Sequence, residues 1–211
     1  MNSPFLNLLP PEVRQCLTVR KLDAHQTLFQ QGQKAEAFYL LESGRLRLVG
    51  FVAQQMIDYF FVKSGEIFAE PALFLDSYPC TAIADESCKL VAIPREIFLE
   101  AMAQHPELSH ALMKQIVLRF CKAKTLLELR SVRPVRERIL HYLRLNTQSD
   151  KQTVVLDHAL KDVASELGLA PEVLSRTLTQ LEIEGILRRN KRTIWLSEQW
   201  LALRTVDKKV V

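Results

Sequence analysis

No stretch of this 211-residue chain reaches the run of about 20 apolar residues that a membrane-spanning helix needs. The longest candidate, residues 46–62, is broken by Arg47, Gln54, Gln55 and Asp58. No basic segment precedes an apolar run at the N-terminus, so no secretory signal is expected and the chain reads as cytoplasmic, with no membrane partner. Cysteine is sparse: Cys16, Cys80, Cys88 and Cys121 include no Cys-x-x-Cys pair. A zinc site or a disulfide framework is therefore not expected, and the thiols read as free and mostly buried. Only five histidines occur, and the strand-rich region holds just His25, with no His-x-His. That leaves a metal enzyme built on a β-roll without its ligands. No Gly-rich phosphate loop and no nucleophile–base pair appears, so the chain does not read as an enzyme.

What is present is an ordinary globular composition, 48% hydrophobic and 25% charged, which excludes wholesale disorder. The net charge of +4 is unevenly distributed. Residues 1–105 carry 9 Lys/Arg against 12 Asp/Glu, residues 106–134 carry 6 against 2, and residues 135–211 carry 13 against 10. An acidic first half joined to a basic second half points to two tasks, with a polyanion as candidate partner for the second.

From Lys21 to Ile93 short apolar runs alternate with turn signals such as Gln31-Gly32, Ser43-Gly44 and Ser64-Gly65. Residues 37–41, 45–49, 56–62 and 90–93 are the predicted strands, and 45–49 alternates polar with apolar as a half-buried strand does. Many short strands at this spacing predict a jelly roll or small barrel. Residues 11–19 and 96–104 read as short helices. Pro106 then opens a stretch free of Gly and Pro to Arg130. Leu108, Leu112, Ile116, Ala123 and Leu126 or Leu127 recur along it at helical spacing. A helix of that length would bury its stripe against a copy of itself, or against its own barrel. After Pro134 come a helix over 135–145 and a short strand over 154–156.

Residues 157–196 carry the most information. Leu160, Val163, Ala164 and Leu167 place an apolar stripe on a short helix that Gly168 terminates. Pro171 opens a second helix, with Leu174, Leu178 and Leu181 on its inner face. Two short helices around a tight turn form a helix-turn-helix pattern. The second helix's other face bears Glu172, Ser175, Arg176 and Thr179, at spacings that project together. These types suit base edges: Arg for guanine, Glu for cytosine, Ser or Thr for either. Residues 187–196 read as a β-hairpin with a cationic tip, a wing whose Arg188, Arg189, Lys191 and Arg192 would contact DNA phosphates. A solvated, self-paired helix face and a plain hairpin tip are the alternatives for each feature taken alone.

Over nearly its full length the chain resembles the CRP/FNR family of bacterial transcription regulators. The match runs through residues 37–44, Ala-Phe-Tyr-Leu-Leu-Glu-Ser-Gly, residues 64–70, Ser-Gly-Glu-Ile-Phe-Ala-Glu, and the Pro-Glu-Val-Leu-Ser-Arg of residues 171–176. The last is similar to the Glu-x-x-Ser-Arg signature of the FNR-like branch. Taken with Phe-Ala-Glu, it resembles the nitric-oxide-responsive DNR regulators. The resemblance implies an α+β chain with three parts: a β-roll (jelly-roll, cyclic-nucleotide-binding-like) effector domain over 1–105, a dimerisation helix over 106–134, and a winged helix-turn-helix over 135–211. It further implies a homodimer on a TTGAT-like palindrome of double-stranded DNA, read by Glu172, Ser175 and Arg176, with RNA polymerase as a second partner. An effector, a small molecule or a gas, would bias the dimer helix and a hinge near Arg133-Pro134.

The effector is not named by these motifs. In cyclic-AMP-binding members a Gly-Glu and an Arg-Ser pair hold the cyclic phosphate and ribose, and a Thr-Ser pair meets the purine. The corresponding positions here are Ala69-Glu70, Cys80-Thr81 and Ala123-Lys124. The arginine is missing, and Glu70 would repel a phosphate that has no cation beside it. Cyclic AMP is therefore not expected. FNR-type iron–sulfur sensing lacks its N-terminal cysteine cluster. Haem is the alternative that the DNR resemblance implies, although none of His25, His105, His110, His141 and His158 has a neighbour marking it as a ligand. Cys80 reads as a redox-sensitive thiol or a small buried residue. A ligand-binding scaffold without a DNA target is the remaining alternative.

Overall fold

The computed structural model describes residues 4–53, 55–156 and 159–198. The chain divides into two compact units, Met1–Arg119 and Phe120–Val211.

The first unit is a β-roll. Strands β1 (Thr18–Leu22), β2 (Thr27–Phe29), β3 (Ala37–Ser43), β4 (Leu46–Val52), β5 (Gln55–Val62), β6 (Ile67–Phe68), β7 (Thr81–Ala84) and β8 (Cys88–Pro94) form two antiparallel four-stranded sheets. Their orders are β1-β8-β3-β6 and β2-β7-β4-β5. The β3–β8 register places Phe38 opposite Ile93 and Leu40 opposite Val91. One core receives side chains from both sheets, with Phe29, Phe38, Leu41, Leu46, Phe68 and Ile93 nearly inaccessible. Within it Phe29 stacks on Tyr78 at 3.8 Å between ring centroids. Leu46 and Leu48 point inward, alternating with half-buried Arg45 and Arg47, and a register shift between Leu48 and Val49 then breaks the alternation and leaves Val49 buried as well. Gly44 turns β3 into β4 at φ +90°, where a Cβ would lie 2.5 Å from the Ser87 carbonyl oxygen. Only glycine fits there.

Helices α1 (Pro4–Leu8), α2 (Pro11–Gln15) and α3 (Arg95–Gln104) also belong to this unit. The sequence predicts a longer α2, running to residue 19. Thr18 and Val19, both β-branched, instead open β1 and pair with Ala92 and Val91. The long helix α4 spans Pro106–Ser131, and the division between units falls inside it. Leu108 and Leu112, the first two members of its predicted stripe, are buried in the β-roll core.

The second unit holds the end of α4, then α5 (Val135–Leu145), β9 (Thr153–Val155), α6 (Leu160–Leu167), α7 (Pro171–Ile183), β10 (Leu187–Asn190) and β11 (Thr193–Leu196). The three strands form one antiparallel sheet in the order β10-β11-β9. Leu174, Leu178 and Leu181 turn the inner face of α7 into a core shared with Ile139, Leu143 and Leu167. Burying each of these leucines contributes about 1.5–3 kcal/mol. Leu129 of α4 joins the same core. Among the described residues no helix is long and apolar enough to cross a membrane.

Candidate nucleic-acid interface

Helix α7 begins at Pro171, whose fixed φ and missing N–H suit the first turn, and Ala170 before it is extended. Glu172 in that first turn complements the positive end of the helix dipole. Because the leucines at 174, 178 and 181 face inward, Glu172, Ser175, Arg176 and Thr179 all face outward and are exposed. Pro171, Glu172, Ser175 and Arg176 line a shallow, open depression. Among the described residues no side-chain hydrogen bond or ion pair engages Glu172, Ser175 or Arg176, so this face is not self-paired. Thr179 differs. Its hydroxyl donates to the Ser175 carbonyl oxygen at 3.1 Å and accepts from Arg189 Nη2 at 3.0 Å.

The hairpin β10–β11 pairs Arg188 with Trp195 and Asn190 with Thr193, leaving Lys191 and Arg192 at the tip. The four cations of this wing are not equivalent, as the sequence pattern had treated them. Arg188 lies over the Trp195 ring, 4.8 Å from its centroid. Arg189 is held by Glu182, whose carboxylate accepts from the Arg189 backbone N–H at 2.8 Å and from Nε at 3.1 Å. Those bonds hold the Glu182 carboxyl below its ordinary value. Arg189 thus fastens the wing to α7, while Lys191 and Arg192 are exposed at the tip. A second tie joins Arg136 of α5 to Glu184, which also accepts from Gln180 at 3.0 Å. The Arg136 guanidinium, with Gln180, holds the Glu184 carboxyl below its ordinary value. Neither Glu182 nor Glu184 was legible as a site residue, since their partners lie on other elements.

The Cyclic nucleotide-binding domain family matches residues 19–105, and the Crp-like helix-turn-helix domain family matches residues 137–203. The chain is 28% identical to the Cyclic AMP receptor protein of Thermus thermophilus over 200 residues, covering 92% of each chain. It is also 28% identical to the nitrogen fixation regulation protein FixK of Azorhizobium caulinodans, over 85% of this chain and 75% of that one. The chain belongs to the CRP/FNR family of transcription regulators. Solved structures of the same fold include FixK2 from Bradyrhizobium japonicum, with TM-score 0.70 at 20% identity over 92% of this chain and 99% of that one. A CooA mutant from Carboxydothermus hydrogenoformans gives TM-score 0.79 at 16% identity, over 99% and 96%.

In this CRP/FNR regulator the first domain departs from a cyclic-nucleotide seat at the residues that matter. Glu70 opens a single 3₁₀ turn, Glu70–Leu73, after Ala69 in the left-handed region at φ +63°. It is buried, and sequence reasoning missed its partner. Arg119 of α4 donates from Nη1 to both Glu70 carboxylate oxygens, at 2.6 and 2.7 Å, and from Nη2 to the Ile67 carbonyl oxygen at 2.6 Å. Burial pushes the Glu70 carboxyl up from its ordinary value, and Arg119 pulls it part of the way back. The pair lies 49 residues apart in sequence, too far for spacing to reveal it. Thr81 is buried, and its hydroxyl accepts from the Gln31 backbone N–H at 3.0 Å. Cys80 is half-buried, and burial pushes its thiol up, away from the reactive thiolate. Glu70 therefore does have a cation beside it, contrary to the expectation from sequence, but that cation, Arg119, is already engaged by Glu70 and Ile67. These residues do not fit a cyclic nucleotide held in the family's usual way. Ala123 and Lys124 lie on α4 within the second unit, where Lys124 pairs with Glu128 at 3.6 Å.

Of the other thiols, Cys88 is buried, Cys16 is half-buried and Cys121 is exposed, so one thiol of the four is fully buried and the expectation of mostly buried cysteines does not hold. His25, His110 and His141 are exposed. His105 is flanked by the Glu12 and Glu107 carboxylates at 3.2 and 3.3 Å, and His158 lies outside the described residues. Among the described residues no group of three or more His, Cys, Asp or Glu side chains is arranged to hold a metal ion.

Proposed function

We propose that this chain is a cytoplasmic, homodimeric regulator that reads a TTGAT-like palindrome in double-stranded DNA. The observation that carries the reading is the outward face of α7, where Glu172, Ser175 and Arg176 stand exposed and, among the described residues, without side-chain partners. Arg176 would donate bidentately to a guanine, Glu172 would accept from a cytosine N4, and Ser175 would adapt to either neighbour. Thr179, bonded to Arg189, would act mainly by holding the wing. Lys191 and Arg192 would neutralise phosphates, and Arg188 would reach the same strand from its place over Trp195.

The segment 106–134 would dimerise. With Leu108 and Leu112 buried internally, the residues left exposed along α4 include Met113, Ile116, Phe120 and Leu127. Together with Ala123 they follow the alternating three- and four-residue spacing of a two-helix seam. A two-fold pair would set the recognition helices about 34 Å apart, one helical turn of DNA. RNA polymerase would be the further protein partner, and an effector, a small molecule or a gas, would act on the β-roll. The relatives reported above do not favour a haem-dependent DNR-type reading.

A fluorescence-anisotropy titration of labelled palindrome against scrambled DNA, over a range of salt, tests the proposal. Preference for the palindrome, with Lys191→Ala lowering the salt slope by about one, is the expected result. Equal affinity for both duplexes would leave a chain that grips polyanions or proteins without reading sequence.

A further inference from the structure

The carboxyl end of α6 is closed by groups from outside the helix-turn-helix. Its last four carbonyls are those of Ala164, Ser165, Glu166 and Leu167. The backbone N–H groups of Leu169 and Gly168 donate to Ala164 and Ser165 at 2.9 and 3.0 Å, with Gly168 left-handed at φ +64°. The rest is done by two arginines. Arg130, in the last turn of α4, donates from Nε to the Glu166 carbonyl oxygen at 2.9 Å and from Nη2 to that of Ser165 at 3.1 Å. Arg138 of α5 donates from Nη1 to the Leu167 carbonyl oxygen at 3.0 Å, and from Nε and Nη2 to that of Val132 at 3.0 and 2.9 Å. The Arg130 stem also runs past Gly168, within 3.8 Å of where a Cβ would stand.

These contacts sit just before the recognition helix. From Gly168 the chain passes Leu169 and Ala170, and Pro171 begins α7. Cations at a helix carboxyl end are also favoured by the dipole. We infer that Arg130 is a positioning residue for DNA recognition: it fastens the last turn of α4 to the end of α6, and so fixes the angle at which α7 is presented. This inference rests on the DNA-binding reading above and gives it a route, since a change in the last turn of α4 reaches α7 through hydrogen bonds to backbone. Arg138 holds the same helix end from α5 and from Val132, which follows α4 directly. Two guanidiniums on three consecutive carbonyls constrain direction as well as distance, because each fork is planar.

The test uses the full chain and two readouts. In the first, hydrogen exchange compares wild type with Arg130→Ala and Arg130→Lys. The segment around Gly168 to Leu174 should exchange about tenfold faster in Arg130→Ala, with the wing unchanged and Arg130→Lys intermediate. In the second, the variants are titrated with TTGAT palindromes whose central spacer is varied one base pair at a time. Wild type should show a sharp optimum. Arg130→Ala should lose about tenfold at that optimum and discriminate spacers weakly, while its choice of bases within a half-site stays as in wild type. Unchanged exchange, or an unchanged spacer profile despite faster exchange, would overturn the inference. If Arg130→Ala does not fold, Arg130→Gln, which keeps one donor, carries both readouts. A wild type that binds no palindrome but shows the exchange difference would overturn the DNA-binding reading and leave the tie between α4 and α6 standing.

Discussion

At the scale of single residues, the second unit contrasts free and engaged polar groups on one small surface. Arg176 has no side-chain partner among the described residues, so its removal should leave the fold intact and appear only in DNA binding. Arg176→Ala is expected to cost about 1–3 kcal/mol of binding and to relax preference at one base pair, as read by competition between single-substitution duplexes. A uniform loss across all duplexes would instead assign Arg176 to a phosphate. Glu70 shows the opposite behaviour. Its carboxylate is buried against Arg119, and Glu70→Ala leaves that guanidinium without its charge partner. Loss of about 1–3 kcal/mol in denaturant unfolding is expected, and no change would mean that the pair contributes nothing net. The outward placement of Glu172 and Arg176 was legible in the sequence because it follows from their spacing against the leucines of one helix. Glu70 was legible only as the retained acid of a motif whose arginine is missing, since Arg119 meets it through the fold.

At the scale of elements, periodicity foretold most of what formed. Helix α5 begins and ends where its pattern does, and the hairpin β10–β11 follows the apolar flanks around a basic centre. The misses are short: β1, β2, β6 and β7 have between two and five residues each. Runs that brief have no readable alternation and are fixed by pairing with distant partners, as Thr18 is by Ala92. The four wing cations looked alike for a similar reason. Only the register of β10 against α7 turns Arg189 toward Glu182. That tie has a pH signature. The Glu182 and Glu184 carboxyls are held below their ordinary value of 4.5 by Arg189 and Arg136. A lowered acid contributes stability that is present above the unfolded value and lost as pH falls through the folded one. The melting temperature of the second unit should therefore be flat above about pH 5 and fall below the 4.5 region. Glu182→Gln should lessen that fall, and an identical acid profile in the variant would remove Glu182 from its cause.

At the scale of the whole molecule, the proposed function depends on two copies acting together. The apolar residues of α4 divide along its length: Leu108 and Leu112 are drawn into the β-roll core and Leu129 into that of the winged unit, while Phe120 and Leu127 of the proposed seam stay about 70% exposed. Such large exposed side chains on one helix mark an association surface. Phe120→Glu should give a monomer in sedimentation velocity, with each unit still folded by circular dichroism and the palindrome bound far more weakly than by wild type. A dimer that persists in this variant would place the interface elsewhere.

The most direct measurement is hydroxyl-radical and methylation footprinting of the wild-type chain on the TTGAT palindrome. Two protected major-groove patches, about 34 Å apart and related by two-fold symmetry, are expected, each losing its guanine protection in Arg176→Ala. A single patch, or protection confined to the phosphate backbone with the guanines still reactive, would contradict it.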